Sequence, residues 1–220
     1  MVEAVIFDMD GLISDTEPLW GEVMVRSFRE TGIHLSREDC WATQGVGTRE
    51  AIEYWYHRYP GEHLPPEEMF DLICQTMLEE IDRRLVVMPG VMETLEFFAT
   101  RKIPMALASG SPMNIIEAVV RKAGLRKYFY SIQSAENLRF GKPNPAVFLE
   151  ASDALGVPHY TCLVFEDSVN GVLAAKAAKM KVVAVPDPAQ AKHPFYVLAD
   201  VRLRTLKDFN ATVYKQLLET

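Results

Sequence analysis

Four short runs along the chain are apolar at every position: Ala4–Phe7, Met105–Ala108, Cys162–Phe165 and Val182–Val185. A strand with one wet face alternates apolar and polar residues. Runs without alternation therefore predict strands of a parallel sheet covered on both sides. Between them the period changes. Ile115, Ile116, Val119, Val120 and Ala123 share one helical face, and Pro112 suits the first turn of that helix. Pro145–Leu155 and Ser168–Lys179 read as two further helices. Strand alternating with helix predicts a doubly wound α/β core with right-handed crossovers.

The interval from Pro18 to Met88 breaks this rhythm. It holds no strand pattern and three helical ones, near Leu19–Thr31, Arg49–Tyr59 and Glu67–Leu85. The expected organisation is a core domain of residues 1–15 and 89–220 with a helical domain of residues 16–88 inserted after the first strand. No repeat or low-complexity segment is present.

Composition narrows the partners. The 220 residues are 49% hydrophobic and 24% charged, which suits a globular protein. A net charge of -7 without a Lys/Arg run disfavours nucleic acid. Cys40, Cys74 and Cys162 are too few and too scattered for a disulfide framework or a zinc site, and suggest a reducing compartment. No apolar run approaches the ~20 residues needed to cross a bilayer. The N-terminal sequence shows no basic region followed by an apolar stretch. A cytoplasmic monomer without membrane or nucleic acid partners is expected.

Four segments could carry chemistry. Asp8-Met9-Asp10-Gly11 closes the first strand, where open α/β sheets bind ligands. One carboxylate could attack phosphorus while the other manages the leaving-group proton; Asp and Gly also simply favour turns. Ser109-Gly110-Ser111-Pro112 lies between a strand and a helix. There, a hydroxyl and free N–H groups could bind an anion, and Ser111 could cap the helix. Gly141-Lys142-Pro143-Asn144-Pro145 is a stiff loop whose lysine could be aimed inward or simply exposed. Glu166-Asp167-Ser168 follows a strand and opens a helix, so Asp167 could hold a hard cation or cap the helix. All four fall at the C-terminal ends of strands or in the loops that follow, and would converge on one rim of the sheet.

In their order and spacing, Asp8-Met9-Asp10-Gly11, Ser109, Lys142 and Glu166-Asp167 resemble the motifs of the haloacid dehalogenase superfamily of phosphotransferases. The helical interval resembles the cap inserted between that family's first two motifs. The stretch Asp8–Pro18 is most similar to the branch holding β-phosphoglucomutase and the hexitol and 2-deoxyglucose-6-phosphate phosphatases. The resemblance implies a Rossmann-like core and a small-molecule phosphate ester as substrate. It implies that Asp8 becomes an aspartyl phosphate and that Asp10 acts as general acid and then base. Ser109 and the Gly110 N–H would hold phosphate oxygens, and Lys142 would offset the charge around Asp8. It further implies Mg2+ held by the Asp8 carboxylate, the Asp10 carbonyl and Asp167, with Glu166 supporting or adding a ligand.

In the inserted helices, Ile52, Trp55, Tyr56 and Tyr59 form a stripe best read as packing. Trp20 follows the hinge-like Ser14-Asp15-Thr16 and is expected to face the cleft. Arg49, after Gly45-Val46-Gly47-Thr48, matches a substrate-contacting cap arginine of the related mutase. The alternative activity is a hexose phosphate mutase, but Trp20 stands where that mutase has a histidine, which favours hydrolysis. A dehalogenase would not need the proton of Asp10. A phosphonate hydrolase would need a cap lysine, and Pro18–Arg84 contains none. A non-catalytic binding domain would have no use for the full set of acids, serine and lysine.

Overall fold

The computed structural model describes residues 2–43 and 46–219; Gly45 of the expected turn before Arg49 lies outside them. β1 (Ala4–Phe7) is followed by four helices: α1 (Glu17–Glu30), α2 (Arg37–Cys40), α3 (Thr48–Arg58) and α4 (Pro66–Arg84). The chain then alternates as α5 (Val91–Ala99), β2 (Met105–Ser109), α6 (Met113–Lys122), β3 (Ser131–Ser134), α7 (Ala146–Leu155) and β4 (Cys162–Glu166). It ends with α8 (Val169–Ala177), β5 (Lys181–Ala184), β6 (Val201–Arg202) and α9 (Ala211–Glu219). The sheet order is β3-β2-β1-β4-β5-β6, with every pairing parallel. This is the doubly wound α/β fold that the apolar runs predict.

The period-two geometry of the strands explains why those runs lack polar alternation. Val5 and Phe7 of β1, Leu107 of β2, Phe165 of β4 and Val183 of β5 enter one apolar cluster. Their neighbours Ala4, Ile6, Ala106, Ala108, Val164 and Ala184 enter the other. Both faces are thus covered, and each residue has an apolar partner layer. The larger cluster carries stacked Phe7 and Phe165 rings, 4.8 Å between centroids. The other face is lined by alanines, which let α7 lie close to β2 and β3.

The helices between β1 and α5 pack on one another within the same apolar cluster as the larger sheet face. Leu19, Val23, Met24 and Phe28 of α1 meet α4, which buries Met69, Ile73, Met77 and Ile81. The chain enters and leaves this layer through adjacent segments: the Asp15 N–H donates to the Val86 carbonyl at 2.9 Å, and the Met88 N–H to that of Ile13 at 2.9 Å. Ile52 and Trp55 are buried as expected of packing residues, while Tyr59 is exposed.

Pro112 differs from expectation. It is the extended residue before α6, which begins at Met113. From that position its carbonyl accepts the Ile116 N–H and so opens the helix.

Strand order reverses between β1 and β4, whose neighbours β2 and β5 lie on opposite sides. Ligands of doubly wound sheets bind at this point, outside the C-terminal strand ends. β1 ends just before Asp8, β4 at Glu166.

Candidate active site

The C-terminal ends of β1 and β4 bring Asp8, Glu166 and Asp167 together, with one carboxylate oxygen of each inside a 4.8 Å group. All three are buried, as is Lys142. The lysine ammonium donates to Asp8 Oδ1 and to Glu166 Oε1, each at 2.6 Å, and to the Ala108 carbonyl at 3.3 Å. A buried lysine with three oxygen acceptors is an inward-aimed ion partner and not the surface residue that its type usually is.

Glu166 is held on both sides. Its Oε2 accepts the Ser168 N–H at 2.9 Å and the Ser168 hydroxyl at 3.0 Å, while Lys142 takes Oε1. Ser168 also caps α8 by accepting the Gly171 N–H, so the capping role open to Asp167 belongs to its neighbour. Two glycines make the crowding possible. A Cβ on Gly171 would stand 1.7 Å from Glu166 Oε1, and one on Gly11, whose φ is +74°, would stand 2.2 Å from Asp167 Oδ2.

The electrostatics follow from this packing. Three buried carboxylates surround one ammonium, leaving two negative charges in excess when all are ionised. Burial pushes the Asp8 carboxyl well above the usual aspartate range, with Lys142 opposing and Glu166 and Asp10 adding to the rise. Burial likewise raises Asp167, reinforced by Glu166 and Asp8. For Lys142, burial opposes the charge, but Asp8 and Glu166 outweigh it and hold the ammonium protonated. Clustered hard oxygen donors with two charges in excess fit a small divalent cation such as Mg2+.

This gives a prediction about metal-free protein. A carboxyl whose folded pKa is raised keeps a proton that the unfolded chain has already released. Its contribution to stability is therefore present at low pH and is lost as pH rises from the ordinary aspartate value of about 3.9 through the raised one. Asp167→Asn removes that liability. In EDTA, the variant should gain thermal stability relative to the unsubstituted protein as pH rises from mildly acidic to mildly alkaline. Saturating Mg2+ should reverse the ranking. A gap that ignores both pH and Mg2+ would contradict the charge account.

Asp10 points elsewhere. Its Oδ1 accepts the Thr16 hydroxyl at 2.7 Å and the Trp20 indole N–H at 2.8 Å. Its Oδ2 accepts the hydroxyls of Ser109 at 3.1 Å and Ser111 at 2.7 Å. Its carboxylate is not a member of the acidic group of Asp8, Glu166 and Asp167. Ser111 is a site residue that the sequence reading treats only as a helix cap; Pro112 occupies the capping position instead. Contacts between residues 101 positions apart leave no local signal in the sequence.

A cavity of about 430 Å3 opens over these groups. Asp8, Asp10 and Asp167 lie on its floor, and Trp20, Arg37 and Trp41 are among its walls. That volume suits a small metabolite. Gly110 borders both this cavity and a neighbouring one that also contains Arg49. Arg49 does not line the main cavity. Its guanidinium lies 2.5 Å from Glu67 and 3.9 Å from the centre of the Phe70 ring.

Comparison with known proteins identifies the family. The profile of the haloacid dehalogenase-like hydrolases matches residues 2–179. The chain belongs to that family, and it is a phosphoric monoester hydrolase. It is 35% identical to hexitol phosphatase B of Escherichia coli (strain K12) over 94% of each chain. A phosphorylated carbohydrates phosphatase of Thermotoga maritima is 34% identical, over 80% of this chain and 82% of its own. In fold, the chain is similar to β-phosphoglucomutase of Clostridium difficile, with a TM-score of 0.89, 22% identity and coverage of 100% and 98% of the two chains.

Proposed function

We propose that this protein hydrolyses phosphate monoesters of small sugars or polyols through an aspartyl phosphate on Asp8, with Mg2+ as cofactor. The observation that carries this reading is Asp8 itself: a strand-end carboxylate clamped by Lys142 beside Glu166 and Asp167, under a cavity that also contains Asp10. Hexitol phosphatase B and the carbohydrate phosphatase point to the same substrate class.

In the first half-reaction, the Asp8 oxygen not held by Lys142 attacks phosphorus. The ester P–O bond breaks, and Asp10 gives its proton to the departing alkoxide. In the second, the Asp10 carboxylate takes a proton from water. That water attacks phosphorus, the bond to Asp8 breaks, and phosphate leaves. Ser109 and the Gly110 N–H hold phosphate oxygens during both halves. Lys142 reduces the repulsion between the Asp8 carboxylate and the incoming phosphate. Asp8, Asp167 and the Asp10 carbonyl would hold Mg2+, which would supply further charge neutralisation beside the phosphate. Glu166, with both oxygens engaged by Lys142 and Ser168, supports that set without ligating.

Residues 16–88 act as a cap over the strand ends, and selectivity resides there, because the core groups recognise only phosphate and the reacting bond. Trp20 lies on the cavity wall. Arg49 contacts substrate only by leaving Glu67. We infer a cytoplasmic monomer; the three free cysteines suit a reducing compartment.

The test is a screen of sugar phosphates, polyol phosphates, nucleotides and pyrophosphate, with Mg2+, Ca2+ or EDTA. Hydrolysis should favour the first two classes and require Mg2+. Ca2+, which is larger and takes more ligands, should replace it poorly. Full activity after exhaustive chelation would refute the metal, and an isomerised sugar phosphate in place of free phosphate would make the protein a mutase.

A further inference from the structure

Trp20 lies on the cavity wall, and its indole N–H donates to Asp10 Oδ1. An indole N–H is a donor only and neither accepts nor supplies a proton at neutral pH. Its effect on proton transfer must therefore pass through the carboxylate that it holds.

The donors around Asp10 divide by origin. Thr16 and Trp20, at the start of the inserted helical layer, hold Oδ1. Ser109, the last residue of β2, and Ser111, in the loop that follows, hold Oδ2. The serine loop is where phosphate is expected to bind. An arriving phosphate competes for those hydroxyls and frees Oδ2 beside the reacting bond, while Oδ1 keeps both of its partners. The two oxygens are then inequivalent, and only one faces the leaving group.

We propose that Trp20 is a positioning residue that anchors Asp10 Oδ1 through its indole N–H, so that Oδ2 is the oxygen that carries the proton to the leaving group. The proton leaves Oδ2 for the ester oxygen as the P–O bond breaks, and Asp10 becomes the carboxylate that later activates water. The inference rests on the acid role of Asp10. If wild-type protein does not hydrolyse alkyl phosphates, that role fails before any variant is made.

The test is a double-mutant cycle between Trp20→Phe, which keeps an aromatic ring and removes the N–H, and Asp10→Asn. Values of kcat and KM are measured for an activated aryl phosphate and for an unactivated polyol phosphate. Alkoxides need the proton and activated phenolates hardly do. Trp20→Phe should lower kcat/KM for the polyol phosphate roughly tenfold, the scale of one lost hydrogen bond to a charged group, mostly through kcat. It should leave the aryl phosphate nearly unchanged. In the Asp10→Asn background it should have no further effect. Thr16→Val, which removes the other Oδ1 donor, should give the same leaving-group signature and serves if Trp20→Phe folds poorly. Equal losses on both esters, a loss confined to KM, or an undiminished effect in Asp10→Asn would each overturn the proposal.

Discussion

Asp8→Asn is expected to lower kcat by about a thousandfold or more, as removal of a covalent nucleophile does, while leaving the fold intact. An amide oxygen does not accept a phosphoryl group under these conditions, and the nearby Asp10 carboxylate has both oxygens held by Thr16, Trp20, Ser109 and Ser111. The same change removes one of the negative charges in excess around Lys142, which keeps its partner Glu166. In EDTA, the variant should therefore be at least as stable to heat as the unsubstituted protein. Loss of activity with retained or raised stability separates a chemical role from a structural one. Turnover within tenfold of wild type would remove Asp8 from the mechanism.

Lys142→Met should have the largest effect on stability. The substitution keeps a long apolar stem against Phe148, whose ring centre lies 4.7 Å from the ammonium, and deletes only the charge. Asp8 and Glu166 would then be buried without their common cation. Breaking a buried ion pair by removing one partner costs about 3–5 kcal/mol, measurable by urea unfolding in EDTA at neutral pH. Lower pH should recover part of the loss, because protonating the abandoned carboxylates relieves it. Turnover should fall by about two to three orders of magnitude, the scale for losing a preorganised charge at a reacting centre. A variant of native stability would mean that the four-residue cluster is less strongly coupled than its 2.6 Å contacts imply.

The legible parts of this chain are those where one residue type has one physical use. Strands β1, β2, β4 and β5 are buried on both faces, so their apolar runs announce themselves. β3 is Ser-Ile-Gln-Ser and half-buried, and β6 has only two residues. Both lie at sheet edges and exist through pairing with β2 and β5, which composition does not encode. α5 does carry a signal in the spacing of Val91, Leu95 and Phe98, which share one helical face.

In the site, the type and order of Asp8, Asp10, Lys142, Glu166 and Asp167 were readable, but their partners were not. That Lys142 bridges two acids, and that Ser111, Thr16 and Trp20 converge on Asp10, follows from packing between distant segments. Arg49 shows a finer limit. Its neighbour Thr48 lines the main cavity together with Ala51, whereas Arg49 itself turns towards Phe70. Consecutive helical positions point in different directions, so Thr48 borders both cavities while Arg49 lines only the neighbouring one.

The central claim is that phosphate passes through a covalent bond to Asp8, and the most direct measurement is to trap it. Enzyme turning over a polyol phosphate in Mg2+ is quenched in acid, digested and mapped by mass spectrometry. The account predicts one added phosphoryl group on the peptide containing Asp8, absent from Asp8→Asn and accumulating in Asp10→Asn with an activated aryl phosphate, where hydrolysis of the intermediate lacks its base. A phosphoryl group on any other residue, or none in Asp10→Asn while that ester is consumed, would contradict it.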